Sequence, residues 1–227
     1  MYGISPRKKR LKLLLSTVLL SSGSVWAIPL DFDFSGVFTA DDDIAFIDFS
    51  LDVDRTVTLF SSSWGDDLGD GDGWIAGGGF DPVLTLWDSS GVLVAEQSDG
   101  DIEGTTQSNG VDYTYGVWDV FDSIALAAGE YTATLTQYDN FAINTILGNG
   151  FMRDDSPNFT FDEGFGAEAL FNGDWIADDP RTGEWAFHLL NVDSANQVPE
   201  AATLALLCVG LAGIGCTGNR SRRRNAS

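Results

Sequence analysis

The chain has 227 residues and carries 34 acidic residues against 12 basic ones, a formal charge of −22 at pH 7. An acidic surface of this size repels nucleic acids and anionic lipids, so we expect no nucleic-acid partner. The single histidine, His188, excludes a zinc site built from several histidines. Both cysteines, Cys208 and Cys216, lie near the C-terminus.

The first 27 residues have the three parts of a secretory signal peptide. Five basic residues between positions 7 and 12 precede an apolar run at 13–20, and Val25 and Ala27 supply the small residues of a cleavage site. We therefore predict export through the translocon and cleavage by signal peptidase after Ala27. An uncleaved N-terminal membrane anchor is the alternative, and the short apolar run argues against it.

Residues 28–197 are predicted to form one exported domain. Five of the 12 basic residues lie in the signal peptide and four near the C-terminus. Residues 28–198 therefore hold only Arg55, Arg153 and Arg181 against 33 acidic residues. The resulting charge of −30 destabilises a folded state unless cations collect on its surface. Since this segment has no cysteine, its stability must come from apolar burial, with bound metal as a second source.

Nine segments show the period-two alternation or the β-rich composition of strands, and clusters of Gly, Asp and Ser separate them. They are 32–38, 44–51, 56–61, 83–87, 92–96, 117–124, 130–138, 159–161 and 185–192. Trp87 and Trp185 fall within these patterns and are predicted core residues. Because the segment shows no useful amphipathic helical period, the prediction is an all-β domain, an antiparallel β-sandwich of jelly-roll-like form.

Three motifs in the middle of the chain resemble the bacterial pre-peptidase C-terminal domain. They are FDPVLTLWD at 80–88, GVLVA at 91–95 followed by Asp99-Gly100-Asp101, and LAAGEYTATL at 126–135. The resemblance covers about residues 41–139 and implies a β-sandwich accessory module, with Tyr131 entering the core. Some members of that family bind calcium through acidic residues, which by resemblance indicates Asp99 and Asp101.

A second calcium candidate is the acidic loop at 66–73, which holds Asp66, Asp70 and Asp72 among glycines. Ca²⁺ takes six to eight oxygen ligands, and glycines let a chain wrap around the ion. The loop does not follow the EF-hand pattern, because Leu68 and Gly77 occupy two of its ligand positions. We predict bound Ca²⁺, with Asp66, Asp70, Asp72, Asp99 and Asp101 as its ligands. A solvated acidic loop that binds no metal is the alternative.

No catalytic residues are predicted. A Ser-His-Asp triad would have to use His188, and the chain has no Gly-x-Ser-x-Gly motif. We interpret His188 as structural and the domain as non-enzymatic. Carboxylate pairs for glycoside hydrolysis are not excluded, because acidic residues are abundant everywhere.

Trp74 and Trp175 are the predicted glycan contacts. Each stands in a Trp-Ile-Ala sequence that follows a Gly/Asp turn and precedes Asp-Pro. Aromatic rings beside such loops can stack on sugars. Chance similarity and simple coverage of the sandwich edge are the alternatives to two similar binding loops at one edge.

The tail has three parts in a fixed order. Val198, Pro199 and Glu200 precede an uncharged, mostly apolar run at 201–217, and a basic cluster with Arg222, Arg223 and Arg224 follows. As a helix the run would reach roughly 26 Å, near the minimum for a membrane span. The arrangement over residues 198–224 resembles the PEP-CTERM sorting signal of Gram-negative bacteria. This chain has Ala201 at the motif position where that family usually has proline. That resemblance implies processing by an exosortase, a membrane protease-transpeptidase.

Together these features predict an exported protein that is anchored in the membrane at least transiently. It would then act at the cell surface or in the extracellular matrix, in a structural or adhesive role that depends on calcium. A carbohydrate-binding module for exopolysaccharide is the alternative, and a surface glycoside hydrolase is the third candidate.

Overall fold

The computed structural model describes residues 28–64, 75, 78–100, 102–173 and 181–199. Within them the chain forms eleven strands: β1 (Leu30–Val37), β2 (Ala45–Leu51), β3 (Arg55–Ser61), β4 (Pro82–Asp88), β5 (Leu93–Gln97), β6 (Gly104–Ser108), β7 (Val111–Tyr115), β8 (Phe121–Leu126), β9 (Gly129–Gln137), β10 (Glu184–Val192) and β11 (Ser194–Val198). A 3-10 turn at Leu147–Asn149 and a short helix, α1 (Phe159–Asp162), are the helical segments of this part. Neither has the length or the apolar character to cross a membrane.

Nine of the strands form two antiparallel sheets that pack face to face. Their orders are β1-β10-β3-β8 and β11-β2-β9-β4-β5. Alternate residues of both sheets enter one buried cluster, to which β10 contributes Phe187 and Leu189 and β9 contributes Leu135. The predicted all-β sandwich is confirmed. Trp87 and Trp185, predicted core residues, are 0% and 2% exposed.

The hairpin of β6 and β7 is a separate two-stranded sheet. Its residues Tyr113 and Tyr115 form a second buried cluster with Phe60 of β3. Phe60 alternates with Leu59, which belongs to the main core, so Phe60 faces the opposite side of its sheet. The hairpin therefore adds a third layer over the outer face of the four-stranded sheet.

Two of the predicted strands are wrong in type or extent. Residues 159–161 were expected as a strand but begin α1. Buried Asp41 accepts hydrogen bonds from the Thr160 N–H and hydroxyl, which holds this turn against the sandwich. The strand expected at 117–124 begins only at Phe121, because Asp119 bonds back to Gly116 and closes a turn.

Strands β6, β7 and β11 were not predicted. All three strands are short. GTTQS and SANQV are largely polar and lack an apolar alternation, whereas VDYTY alternates Val111, Tyr113 and Tyr115 with polar residues but over only five positions. Tertiary pairing determines them instead: β6 pairs with β7, and β11 pairs with β2. Tyr131 is half-buried and stacks on Phe49 at 5.3 Å between ring centroids, at the margin of the core that it was expected to enter.

Candidate functional site

β11 is an edge strand of the five-stranded sheet and is the last strand described before the tail. It pairs with β2 along its whole length, from Ser194 to Val198. Three of its five side chains are exposed, and Ala195 and Val198 are half-buried. The strand is thus held mainly by backbone hydrogen bonds to one neighbour.

Asp193 anchors the chain immediately upstream of β11. Its carboxylate lies 3.0 Å from the guanidinium of Arg55 and accepts a hydrogen bond from the Asp52 N–H at 2.5 Å. Its own N–H donates to the Ser50 carbonyl at 3.0 Å. Because the side chains of Asp193 and Arg55 are only 6% and 12% exposed, water screens this ion pair less than a surface pair.

A cleft of about 190 Å³ lies where β11 ends. Residues 36–39 and 43–45 form its walls together with Trp185 and residues 197–199. Pro199 lacks an N–H group and cannot extend the ladder of β11, so the chain leaves the sheet at this point. The start of the tail is therefore packed against the rim of the sandwich.

The tail that leaves this rim has a family signature. Residues 197–224 match the PEP-CTERM protein-sorting motif. The match confirms the predicted sorting signal and indicates an exported protein that is anchored transiently in the membrane and processed by an exosortase, a membrane enzyme. It begins inside β11, because Gln197 and Val198 are also ladder residues. No curated protein matches the chain.

The PEP-CTERM motif lies mostly outside the described residues. Of its predicted sorting residues, Val198 and Pro199 are described, whereas Glu200 and the arginines at 222–224 are not. The apolar run at 201–217 and the predicted cleavage residue Ala27 also lie outside them. The ion pair between Asp193 and Arg55 could not be predicted, because nothing in the sequence indicates that two residues so far apart are in contact.

His188 lies on the outer face of β10, beneath the β6–β7 hairpin. Its Nδ1 is 2.8 Å from Asp33 Oδ1, and its Nε2 is 2.8 Å from Ser62 Oγ. The ring lies between Phe60 and Tyr113, at 4.5 and 3.8 Å between centroids. Serine, histidine and aspartate stand here in the order of a nucleophile, a base and an orienting acid.

This trio differs from a working nucleophilic site in two respects. Ser62 is 0% exposed and His188 is 1% exposed, so substrate has no direct access. The N–H groups that would stabilise an oxyanion are also engaged: Ser62 N–H donates to the Ala186 carbonyl, and the next two N–H groups donate to the Asp119 carboxylate. The arrangement fits a buried polar contact that joins three strands and the hairpin.

The charge state of the trio follows from its surroundings. Burial lowers the pKa of His188, and the neighbouring Asp33 offsets this only in part. Burial acts to raise the pKa of Asp33, but its hydrogen bonds, led by one from Asn109 on the hairpin turn at 2.8 Å, lower it overall. A neutral His188 therefore donates from Nδ1 to an ionised Asp33 and accepts the Ser62 hydroxyl at Nε2.

Four of the five predicted calcium ligands, Asp66, Asp70, Asp72 and Asp101, lie outside the described residues. Asp99 is described and follows β5, next to Gly100, whose N–H donates to the Asp119 carbonyl at 2.7 Å. In the described ranges, no three His, Cys, Asp or Glu side chains are grouped so that they could hold a metal ion. Calcium binding and its ligands stay a prediction.

Two fully buried carboxylates, Asp41 and Asp119, hold loops in place by accepting hydrogen bonds from them. Asp41 accepts hydrogen bonds from the Thr160 N–H and hydroxyl, at 2.9 and 2.6 Å, and from the Phe171 N–H at 2.7 Å. Burial raises the pKa of Asp41 in spite of these bonds. Asp119 accepts from the Ser61 hydroxyl at 2.5 Å and from three backbone N–H groups. Each carboxylate joins segments that are distant in sequence, so only the fold reveals its role.

The described residues that follow the loops carrying Trp74 and Trp175 are in contact with each other. Both tryptophans lie outside the described residues, but the Thr182 hydroxyl, just after one loop, donates to the Gly78 carbonyl, at the end of the other. Gly78 has φ +73°, and a Cβ there would collide with the guanidinium of Arg181. The glycine therefore permits the close contact between the two loop ends.

A group of aromatic and cationic side chains marks this junction. The Arg181 guanidinium lies 3.4 Å above the ring of Trp64, and Trp64 lies 6.4 Å from Trp118 between ring centroids. Trp64 is buried, whereas Trp118 is 39% exposed. The sequence points to Trp74 and Trp175 but not to Trp118, which is brought beside Trp64 only by the fold.

Proposed function

We propose that the mature protein is a non-enzymatic component of the cell surface or extracellular matrix, with a structural or adhesive role that depends on calcium. The observation that carries this proposal is a PEP-CTERM sorting motif attached directly to a strongly acidic β-sandwich. Burial of the chain's single histidine together with Ser62 supports the non-enzymatic part.

Crowding of acidic groups supports the calcium dependence. Residues 28–198 carry 33 acidic residues and three basic ones. At the β1–β2 connection, burial is the main cause that raises the pKa of Asp42, and the nearby charges of Asp43 and Asp154 add to it. Divalent cations relieve such repulsion by binding between carboxylates, on one molecule or between two.

A thermal melt of residues 28–199 tests the calcium dependence. CaCl₂ should raise Tm above that in NaCl of equal ionic strength and above that in MgCl₂, since Mg²⁺ gives up its waters reluctantly. At 100 times Kd a single site adds about 2.7 kcal/mol of stability. Replacing Asp66, Asp70 and Asp72 together by Asn should abolish the gain. An identical midpoint in all three salts would contradict the proposal.

Cell fractionation tests the placement. The full chain, expressed in a Gram-negative host that has an exosortase, should pass from the membrane fraction to the cell surface or medium and become shorter. Replacement of Arg222, Arg223 and Arg224 by Gln should leave the chain unprocessed in the membrane. Equal export of the parent and this variant would contradict sorting through the tail.

A carbohydrate-binding module is the second candidate, and Trp118 is the observation that favours it. An exposed indole beside Trp64 and Arg181 offers a surface on which a sugar ring can stack. A glycan array should then show binding that Trp118→Ala weakens, as should Trp74→Ala and Trp175→Ala. Phe161→Ala, which removes an exposed ring on α1, is the matched control. Absence of any bound glycan would rule the candidate out.

A further inference from the structure

The sorting motif and the fold share two residues. Gln197 and Val198 belong to the PEP-CTERM match and also pair with Ile47 and Phe46 of β2. The apolar run begins at residue 201, three residues beyond Val198, and three extended residues reach only about 10 Å. A domain with a radius of gyration of about 15 Å is therefore tied closely to the membrane segment.

The short distance between the folded domain and the apolar run limits how a processing enzyme can reach the motif. Enzymes that bind a peptide by strand addition need it extended, with its backbone hydrogen-bonding groups free. In β11 the backbone groups on one side are already paired with β2. Only the outer edge of β11 is open, so an enzyme cleft that encloses the peptide on both sides cannot take up the residues before Pro199 while the strand stays in the sheet.

β11 has the properties of a strand that separates easily. It is an edge strand of five residues with three exposed side chains, and none of the fully buried residues of the main core lies on it. Strands with few buried apolar contacts open locally at a fraction of the global unfolding free energy. Removing β11 from β2 leaves the buried cluster of the two sheets in place.

The opening has a defined limit. Val192, at the end of β10, is 0% exposed, and Asp193 is held by Arg55 and the Asp52 N–H. Separation therefore stops at Asp193 and frees the five residues Ser194–Val198. Five extended residues add about 17 Å of reach beyond the anchored point.

We propose that the exosortase binds Ser194–Val198 as an extended peptide after β11 separates from β2. The substrate of the processing step is then this released strand together with the sorting motif, and the sandwich stays folded up to Asp193. The proposal rests on the exosortase processing contained in the proposed function, and it adds the segment that the enzyme recognises.

A disulfide across β11 and β2 tests the proposal. Asp48 and Asn196 are direct cross-strand partners with exposed side chains, so their Cα atoms are spaced suitably for a disulfide. The variant Asp48→Cys/Asn196→Cys is made in the full chain with Cys208 and Cys216 replaced by Ser. The matched control, Thr105→Cys/Thr114→Cys, links direct partners in the β6–β7 hairpin.

Processing is followed by gel mobility in a Gram-negative host with an exosortase. The oxidised β11 variant should be shortened at least tenfold more slowly than its parent, and added reductant should restore the rate. The control should be processed at the parental rate in both redox states. Equal rates for the parent and the oxidised β11 variant would overturn the proposal while leaving sorting intact.

Hydrogen exchange on the full chain in detergent micelles gives a readout independent of the enzyme. Amides of residues 195–198 that bond to β2 should exchange at least tenfold faster than those between β9 and β4. If the two sets exchange at equal rates, β11 opens only by global unfolding and the proposal is overturned. If the parent chain is never shortened, the proposed processing fails, and the exchange rates still decide whether β11 separates.

Discussion

Acidification should destabilise the sandwich through His188. Burial holds its pKa in the folded protein below about 6.5, the value of an exposed histidine. Below that pH the unfolded chain takes up a proton that the folded protein does not bind. This contribution to stability is therefore complete above about pH 6.5 and declines as the pH falls. Between the pKa of His188 in the unfolded chain and its pKa in the folded protein, the free energy of unfolding falls by up to about 1.4 kcal/mol per pH unit.

Urea unfolding of residues 28–199 at pH 7.5, 6.5 and 5.5, followed by tryptophan fluorescence, measures this effect. Between pH 6.5 and 5.5 the parent should lose stability relative to His188→Gln, which has no group of that pKa. The loss is at most about 1 kcal/mol, the value for a histidine that stays neutral in the folded protein over this range. Both proteins contain the same carboxyl groups, so the comparison removes their contribution to the pH dependence of stability. These groups include Asp41 and Asp42, whose raised pKa values stabilise the folded protein as the pH falls. Equal pH slopes for parent and variant would refute the assignment of a buried, neutral His188.

Three further predictions concern the fold. Asp41→Asn should cost about 2–4 kcal/mol in urea unfolding, because an amide nitrogen cannot accept the N–H bonds that the carboxylate accepts. Leu135→Ala, at a fully buried site, should cost about 2–5 kcal/mol, against less than about 0.5 kcal/mol for the exposed Val37→Ala. Gly110→Ala should cost about 1–2 kcal/mol and weaken the near-UV circular dichroism of the hairpin tyrosines, because φ is +80° there.

The strands that could be predicted are those whose side chains alternate between the core and the outer face. In β3 and β9 this alternation is visible in the sequence, and both were located within one or two residues. β6 and β11 carry mostly polar side chains, so composition gives no such signal. The sequence does carry one signal for the β6–β7 hairpin: Asn109-Gly110, both with positive φ, forms the two-residue turn typical of a hairpin.

The contacts around His188 could not be predicted for a different reason. Asp33, Ser62 and His188 belong to three separate parts of the chain, and only the antiparallel order of β1, β10 and β3 brings them together. A sequence with acidic residues throughout offers many possible partners for one histidine. The structure selects Asp33 because its β1 position is the register partner of His188.

The boundary between the domain and its tail lies inside a strand rather than in a linker. The half-buried Ala195 and Val198 give β11 roughly 1–2 kcal/mol of apolar stabilisation, at about 0.8 kcal/mol per buried methylene. Its backbone hydrogen bonds add about 1 kcal/mol each, and the entropy of ordering five residues offsets them. An opening cost of about 1.4 kcal/mol would give one open strand for every ten closed ones. At that cost the open strand would be populated enough for a membrane enzyme to capture, which is what the proposed binding of Ser194–Val198 requires.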